Sequence, residues 1–287
     1  MTPELIVIVG PTASGKSDLA VRLAKKHNGE IISADSRQVY KGLNIGSGKI
    51  TKKEMKGVPH YLLDVANPKK QFTVANYVEL AHKALEKILE KNKTPIVVGG
   101  TGFYIQAFVD GIVLPEVPPN NKLRAQLEKK SATQLFGMIR KLDPSRAKDL
   151  DPLNARRLIR AIEIAKTLGK VPKLTSRPLP YKTIFIGTKI SPTKLKEKIR
   201  VRLMKRLRNG MIDEARRLHT QGLSWKRMEE LGLEYRYLAY FLQNKMTKKE
   251  MVEKLATEIW HYSRRQMTWF KRDKRIVWRR VVGRNSK

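Results

Sequence analysis

The feature that most constrains this fold is a glycine-rich segment near the start of the chain. Gly10-Pro-Thr-Ala-Ser-Gly-Lys-Ser17 fits the pattern G-x-x-x-x-G-K-[ST]. An apolar, strand-like run precedes it at residues 5–9, and an amphipathic helical pattern follows it at residues 17–27. In this context the backbone amides and the helix N-terminus direct positive dipoles at a bound phosphate. The segment therefore predicts a phosphate-binding loop between a strand and a helix.

The residue types in the loop suit a phosphorylated ligand. The glycines let the backbone wrap an anion, and Lys16 supplies a charge to its terminal phosphates. The hydroxyl of Ser17 is placed to bind Mg²⁺, and Ser17 is therefore our candidate metal ligand. The predicted phosphate-binding residues are Gly10, Pro11, Thr12, Ala13, Ser14, Gly15, Lys16 and Ser17.

Short apolar runs alternate with helical patterns over the first third of the chain. This alternation is typical of a parallel sheet covered by helices. We therefore expect an α/β fold with a P-loop NTPase-like parallel sheet flanked by helices. The predicted strands are residues 5–9, 30–33, 61–64, 95–98, 183–187 and 276–278, and the predicted helices include 17–27, 73–92, one from Pro192 behind the N-cap Ser191, and 247–270.

A proline-rich segment at residues 114–119 interrupts this alternation. A polar, helical pattern follows it to about Lys170, and the strand pattern returns at Thr183. We therefore predict three segments: the first part of a catalytic core over residues 1–114, a helical insertion domain over 115–182, and the rest of the core with C-terminal helices over 183–287.

The positive charge of the chain is large and unevenly spread. The net charge is +34, from 60 basic and 26 acidic residues. Residues 1–114 hold 16 Lys and Arg against 10 Asp and Glu, so by subtraction residues 115–287 hold 44 against 16. A general lysine bias would raise both parts alike, and this excess instead favours a polyanionic partner. Nucleic acid is favoured over a membrane, because no long basic helix carries a face rich in Trp and Phe.

Several classes of protein are disfavoured by what the sequence lacks. The absence of cysteine excludes disulfides, zinc–thiolate sites and cysteine nucleophiles. No apolar run approaches the roughly 20 residues that cross a bilayer, and the start of the chain does not resemble a signal peptide. We therefore expect a cytoplasmic protein without membrane partners, and a monomer.

Two polar segments follow predicted strands, at the edge where parallel sheets bind ligands. Asp35-Ser-Arg-Gln-Val-Tyr40 follows the second strand, and Gly99-Gly-Thr-Gly-Phe-Tyr104 follows the fourth. Asp35 could take a proton from a nucleophile, and the Thr101 hydroxyl could donate to a departing oxygen. Taken singly, Asp35 could equally be a helix N-cap and Thr101 a turn residue. Taken together with the loop, they favour catalysis.

The loop by itself does not identify the reaction. The strand at residues 95–98 ends without the acidic residue that holds Mg²⁺ and positions water in ATPases, and the chain has no N-K-x-D motif for guanine. A GTPase is therefore disfavoured. A small-molecule kinase that binds ATP and a nucleic-acid-binding ATPase both remain open at this point.

Seven blocks, in order along nearly the whole chain, resemble the tRNA dimethylallyltransferases, also called tRNA isopentenyltransferases. They are Gly10-Pro-Thr-Ala-Ser-Gly-Lys-Ser17, Asp35-Ser-Arg-Gln-Val-Tyr40, Pro59-His60 with Leu63-Asp64, Gly99-Gly-Thr-Gly-Phe-Tyr104, Asn154-Ala-Arg-Arg-Leu-Ile-Arg-Ala-Ile-Glu163, Gly232-Leu-Glu-Tyr-Arg236 and Arg264-Arg-Gln-Met-Thr-Trp-Phe270.

The resemblance implies transfer of a dimethylallyl group from dimethylallyl diphosphate to N6 of adenosine 37 in tRNA. The loop would then hold the donor diphosphate with Mg²⁺, and Arg202 would be a further diphosphate contact. Asp35 would accept the proton of the adenine amino group, and Thr101 would bind the bridging oxygen of the leaving group. Transfer to free adenine nucleotides is a variant that the large basic insertion disfavours.

The resemblance also implies a set of contacts with the anticodon stem-loop of tRNA. One frequent family residue, a Gln, is replaced here by Arg156, which weakens the contact assigned to that position. The aromatic residues Trp260, Tyr262, Trp269 and Phe270 are predicted to be core because they recur at helical spacing. The implied tRNA contacts are Asp35, Ser36, Arg37, Gln38, Thr101, Arg124, Arg156, Arg157, Leu158, Ile159 and Arg160.

Overall fold

The central element is a six-stranded, all-parallel sheet with the strand order β3-β2-β4-β1-β5-β6. The computed structural model describes residues 4–280 of the chain. The parallel sheet confirms the predicted fold class. The strands are β1 (Glu4–Val9), β2 (Gly29–Ala34), β3 (His60–Tyr61), β4 (Thr94–Gly99), β5 (Lys182–Lys189) and β6 (Val277–Arg280).

Helices cover both faces of the sheet. Side chains of β1 alternate between the faces, with Leu5 and Val7 in one core cluster and Ile6 and Ile8 in another. The helices are α1 (Lys16–Lys26), α2 (Lys52–Met55), α3 (Val74–Glu90), α4 (Gly102–Val109), α5 (Asn121–Leu127), α6 (Ala132–Leu142), α7 (Pro144–Lys148), α8 (Ala155–Leu168), α9 (Pro192–Arg208), α10 (Met211–Thr220), α11 (Trp225–Leu231), α12 (Leu233–Leu242) and α13 (Lys248–Phe270).

Most predicted elements agree with the structure to within a few residues, and the third strand is the main exception. The prediction of a strand over residues 61–64 is wrong, since β3 is His60–Tyr61. Leu62 and Asp64 have φ angles of 63° and 56° and therefore leave the extended conformation. At the start of α13 the Thr247–Glu250 capping box is present, as its sequence predicts.

The register of three neighbouring strands brings their carboxyl ends to one level. Val9 of β1 is paired with Gly99 of β4, and Gly99 is paired with Ala34 of β2. The phosphate loop, the segment that begins at Asp35 and the turn that begins at Gly100 therefore all start at the same edge of the sheet.

The chain divides into two compact units, a helical one over Gly111–Pro178 and another formed by the rest of the chain. The predicted insertion, residues 115–182, begins and ends four residues later than this helical unit. The difference arises because residues 111–113 pair with residues 175–177, as in the hydrogen bond from the Arg177 amide to the Gly111 carbonyl (2.9 Å). Just outside the helical unit, the Leu179 amide donates to the Val109 carbonyl (3.1 Å).

A buried carboxylate organises the helical unit. Glu163 on α8 is 1% exposed. It accepts hydrogen bonds from the Asn120 amide (2.6 Å) and from two nitrogens of Arg124 (2.9 and 2.8 Å), and it also binds the Arg160 guanidinium. Burial raises the pKa of Glu163, but these hydrogen bonds outweigh burial and leave it below its usual value.

Among the helices of residues 4–280, none combines the length and the apolar character that crossing a bilayer requires.

The Glu163 cluster generates a prediction about stability. Glu163→Gln should lower the free energy of unfolding by about 2–3 kcal/mol, because two guanidinium groups lose a charged acceptor. The folded-state pKa of Glu163 is lowered, so its stabilisation is complete above about pH 4.3 and is lost as the pH falls through that lowered value. Urea unfolding of the full chain at pH 7 and in acid measures both effects.

Glu128→Gln is the matched control, since Glu128 is exposed in the same unit. It should change the free energy of unfolding by less than about 0.5 kcal/mol. An equal effect of the two substitutions would contradict the role given to Glu163.

Candidate active site

A cavity opens where the carboxyl ends of β1, β2 and β4 meet. Polar and basic side chains from the phosphate loop, the segment after β2 and helix α9 surround it, together with a smaller apolar wall. Its lining residues are Thr12, Ala13, Lys16, Ser17, Ser33, Asp35, Gln38, Ser47, Gly48, Ile50, His60, Val98, Gly99, Ile199, Arg202, Arg206, Glu234 and Ile259.

The phosphate loop is held in place by side chains outside it. The Ser14 and Thr188 hydroxyl oxygens are 2.6 Å apart, and Thr188 also donates to the Val9 carbonyl (3.2 Å). Gly10 has a φ of 154°, and a β-carbon there would lie 1.9 Å from the Thr188 hydroxyl. Only glycine can therefore occupy the first position of this loop without displacing Thr188.

Lys16 lies at the centre of the basic groups in the cavity. Its ammonium group donates to the Pro11 carbonyl (3.2 Å). Burial lowers the pKa of Lys16 to about 8, while the Asp35 charge raises it and the Arg202 charge lowers it further. A bound anion would favour the charged form, so the loop is arranged for a ligand that carries several negative charges.

Asp35 caps a turn and not a helix, so the helix N-cap interpretation of this residue is wrong. Its Oδ1 accepts hydrogen bonds from the Arg37 amide (2.8 Å) and the Gln38 amide (3.3 Å), and so caps the turn that follows β2. Within residues 4–280 its Oδ2 has no hydrogen-bond partner, and the side chain lines the cavity. One oxygen therefore fixes the carboxylate, and the other is available to accept a proton.

Thr101 is linked to the segment of Asp35 through Ser36, the residue that follows Asp35. The Thr101 hydroxyl accepts a hydrogen bond from the amide of Ser36 (3.0 Å), and the Thr101 amide donates to the Ala34 carbonyl (3.2 Å). Thr101 is the N-cap residue of α4, but its side chain makes no capping hydrogen bond. Because the oxygen already accepts from Ser36, the hydroxyl proton can be donated elsewhere.

Two arginines of α9 line the cavity, and they differ in their partners. Arg206 is engaged, since it donates to the Gly46 carbonyl (2.8 Å) and pairs with Glu234 (3.0 Å). Arg202, one turn earlier, has neither an ion pair nor a hydrogen bond within residues 4–280. The geometry thus places one uncompensated guanidinium opposite the phosphate loop, where the sequence predicts a diphosphate contact.

Helix α13 contributes a residue that the sequence analysis assigned to the core. Tyr262 lies beside Thr101 and Asp35. Burial and the Asp35 charge raise the pKa of its phenol to about 12, and the Arg37 charge and the neighbouring Thr101 hydroxyl oppose them. Phe270 is buried and Trp260 and Trp269 pack against core clusters as predicted, whereas Tyr262 is half-buried and belongs to none of the core clusters of the described residues.

Glu214 is a second residue that supports the cavity and that no sequence motif indicated. This buried carboxylate on α10 accepts hydrogen bonds from three consecutive amides, Asn44, Ile45 and Gly46 (3.0, 2.7 and 2.9 Å), and from the Tyr235 hydroxyl (2.8 Å). It thereby holds the loop that lines the cavity at residues 47–50. No local signal distinguishes Glu214 from its neighbour Asp213, since both are acidic residues in the first turn of α10.

The predicted tRNA contacts fall into two groups. Asp35, Ser36, Arg37, Gln38 and Thr101 lie together at the edge of the sheet.

The others belong to the helical unit, where Arg124 and Arg160 bind Glu163, and Arg156 and Arg157 are exposed. Leu158 and Ile159 are 0% and 8% exposed and lie in the core of that unit. The prediction that their side chains contact tRNA is therefore wrong.

The cavity has few side chains that could bind a metal ion. In the part of the chain from residue 4 to residue 280, no group of three or more His, Cys, Asp and Glu side chains is arranged to hold a metal. The exposed hydroxyl of Ser17 lies in the cavity beside Lys16. This arrangement fits Mg²⁺, which usually keeps several waters and is bound by one or two protein groups together with phosphate oxygens.

The fold and the loop define an α/β phosphate-binding protein of the P-loop class, and comparison with known proteins narrows that class. The family model described as IPP transferase matches residues 38–273. A tRNA dimethylallyltransferase 1 of Syntrophus aciditrophicus is 40% identical over 97% of this chain and 94% of its own length. A tRNA dimethylallyltransferase 2 of Treponema denticola is 42% identical over 93% of this chain and 91% of its own length.

Solved structures show the same similarity. The tRNA isopentenylpyrophosphate transferase of Bacillus halodurans has a TM-score of 0.73 and 35% identity, over 96% of this chain and 89% of its own. A eukaryotic dimethylallyltransferase acting on tRNA has a TM-score of 0.77 and 26% identity, over 94% of this chain and 70% of its own. The chain belongs to the IPP transferase family, that of the tRNA dimethylallyltransferases, which confirms the predicted family and enzyme class.

The unpaired guanidinium of Arg202 generates a prediction about anion binding. Arg202→Gln should weaken the binding of inorganic diphosphate about 10- to 100-fold, since a hydrogen bond to a charged group contributes about 1.5–3 kcal/mol. Isothermal titration calorimetry with the full chain measures this change.

Arg200→Gln is the control, because Arg200 is on the same helix and exposed outside the cavity. Its affinity for diphosphate should stay within about twofold of the wild type, as expected for a screened surface charge. Equal losses in the two variants would show that only the general charge of α9 matters.

Proposed function

We propose that the chain transfers a dimethylallyl group from dimethylallyl diphosphate to N6 of adenosine 37 in tRNA. N6 attacks C1 of the donor, the bond between C1 and the bridging oxygen breaks, and diphosphate leaves. The N6 proton passes to Asp35. The observation that carries this proposal is that a free Asp35 oxygen, the Thr101 hydroxyl and the phosphate loop lie at one edge of the sheet.

The donor fits the cavity in both of its chemical parts. The loop, Lys16 and Arg202 supply positive charge for the diphosphate. Beside them, Ile199 and Ile259 supply apolar surface for a hydrocarbon tail. The family to which the chain belongs favours a prenyl donor over ATP as the ligand of this cavity.

Asp35 acts as the general base. A neutral adenine amino group is a weak nucleophile, and holding it in line with C1 supplies much of the rate. The turn amides of Arg37 and Gln38 fix the carboxylate through Oδ1, so Oδ2 can meet the N6 proton without reorganisation.

Thr101 acts on the leaving group. Its hydroxyl oxygen accepts from the Ser36 amide, which directs the hydroxyl proton away from Ser36 and toward a second acceptor. A hydrogen bond from this proton to the bridging oxygen grows stronger as negative charge develops there. Lys16 and Arg202 stabilise the same charge on the departing diphosphate.

Magnesium is the proposed cofactor. The Ser17 hydroxyl would hold it, with the donor's phosphate oxygens and water completing the coordination. When bound, the ion would neutralise part of the diphosphate charge. The residues of the chain would bind and orient the two substrates.

The proposed acceptor region is the anticodon stem-loop. A base stacked in that loop reaches a cavity of this kind only after it is extruded from the stack, and Gln38 in the cavity wall, with Ser36 and Arg37 before it, would contact the extruded base. Arg156 and Arg157 are exposed for phosphate contacts in the helical unit. We further propose that the protein acts as a cytoplasmic monomer.

The deciding experiment is a label-transfer assay with radiolabelled dimethylallyl diphosphate, Mg²⁺ and unmodified tRNA that carries adenosines at positions 36 and 37. Label should enter the tRNA, and replacing adenosine 37 or chelating Mg²⁺ should abolish its entry. Turnover of labelled ATP without label transfer would instead support a kinase or an ATPase.

The roles of Asp35 and Thr101 are tested by isosteric substitutions. Asp35→Asn keeps the Oδ1 acceptor for the turn and should lower the single-turnover rate about 10²- to 10⁴-fold through loss of the base. Thr101→Val should lower it about 10²- to 10³-fold through loss of the donor. Filter binding should show tRNA affinity within about threefold of the wild type in both variants. Lost affinity with a normal single-turnover rate would mean that both residues bind RNA only.

A further inference from the structure

Three side chains on one face of α13 lie against the turn that carries Thr101. They are spaced at i, i+4 and i+7, so they follow one another along the helix. Tyr262 lies beside Thr101, Gln266 hydrogen-bonds to Gly100, and the Trp269 indole packs against Gly102. A β-carbon on Gly102 would lie 2.2 Å from that indole, so the helix and the turn are in close contact.

Gln266 does more than contact the turn, because its amide joins the turn to the phosphate loop. Its Oε1 accepts a hydrogen bond from the Thr12 amide (2.8 Å), and its Nε2 donates to the Gly100 carbonyl (2.8 Å). The side chain is 6% exposed. Since one partner can only donate and the other can only accept, the orientation of the amide is fixed.

Beyond the β1–β4 ladder, Gln266 supplies a second connection between the two segments. Within residues 4–280, no direct hydrogen bond joins the loop at residues 10–17 to the turn at residues 100–102. Gly100 allows the close approach, since a β-carbon there would lie 2.1 Å from Gln266 Nε2. The Thr12 amide, which points at Gln266, is thereby withdrawn from phosphate binding and used to hold the loop.

We propose that Gln266 is a positioning residue that sets the spacing between the diphosphate loop and the hydroxyl of Thr101. The loop holds the phosphates of the donor, and Thr101 must meet the oxygen that bridges C1 and those phosphates. A displacement of about 1 Å between such groups can cost about 100-fold in rate. This inference rests on the proposed prenyl transfer, because it assigns Gln266 a function through Thr101 in that reaction.

Two substitutions break the bridge in different ways. Gln266→Met keeps the length of the side chain and removes both hydrogen bonds. In Gln266→Glu the side chain still accepts from the Thr12 amide but cannot donate to Gly100. One of its carboxylate oxygens then faces the Gly100 carbonyl oxygen, and the two repel. With both substrates saturating, the single-turnover rate should fall about 30- to 100-fold in each variant, while tRNA affinity stays within about threefold of the wild type.

A double-mutant cycle with Thr101→Val separates positioning from general support of the fold. If Gln266 acts through Thr101, Gln266→Met should lower the rate by less than about fivefold once the hydroxyl is absent. An equal fold-loss in both backgrounds, or an unchanged rate in Gln266→Met and Gln266→Glu, overturns the proposal. Gln243→Met is the matched control and should keep the wild-type rate, since among residues 4–280 the Gln243 side chain bonds only to the Ala239 carbonyl of the preceding helix turn.

Hydrogen–deuterium exchange gives a readout that needs no turnover. In both Gln266 variants, amide exchange should rise in the peptides that cover residues 10–17 and 99–104, and in Gln243→Met it should not. Unchanged exchange in both peptides overturns the bridge itself. If wild-type protein transfers no label but the exchange rises as expected, the proposed function has failed while the bridge between the two segments stands.

Discussion

The parallel ladder of β2, β4 and β1 is the constraint on which the rest of the site depends. Its hydrogen bonds fix the register of Ala34, Gly99 and Val9, so three segments that are distant in sequence begin at one level. Each segment then contributes a different kind of group at that level: the Asp35 carboxylate, the Thr101 hydroxyl and the amides of the glycine-rich loop. The helices refine these positions, but the ladder brings them together.

The site residues that come directly after strands in the chain could be predicted from the sequence. Asp35 and Thr101 each stand one or two residues beyond an apolar run, and this local pattern survives folding. Tyr262, Gln266 and Glu214 could not be found in this way, because their partners lie far away along the chain. Leu158 and Ile159 show the converse error, since similarity to a family segment does not indicate which face of a helix is buried.

The count of basic residues overstates the positive charge available to a polyanion. Arg124 and Arg160 share the buried carboxylate of Glu163, and Arg206 is paired with Glu234. These guanidinium groups stabilise the protein itself. Arg202, Arg156 and Arg157 lack such partners within residues 4–280, so position and not number separates the structural cations from those that can meet a ligand.

The hydrogen bond between Leu179 and Val109 means that the chain leaves and re-enters the sheet-containing unit at neighbouring points. An inserted unit whose two ends lie close together requires little change in the domain that carries it. The helical unit can therefore lengthen, shorten or be exchanged in the course of evolution without disturbing the strand register.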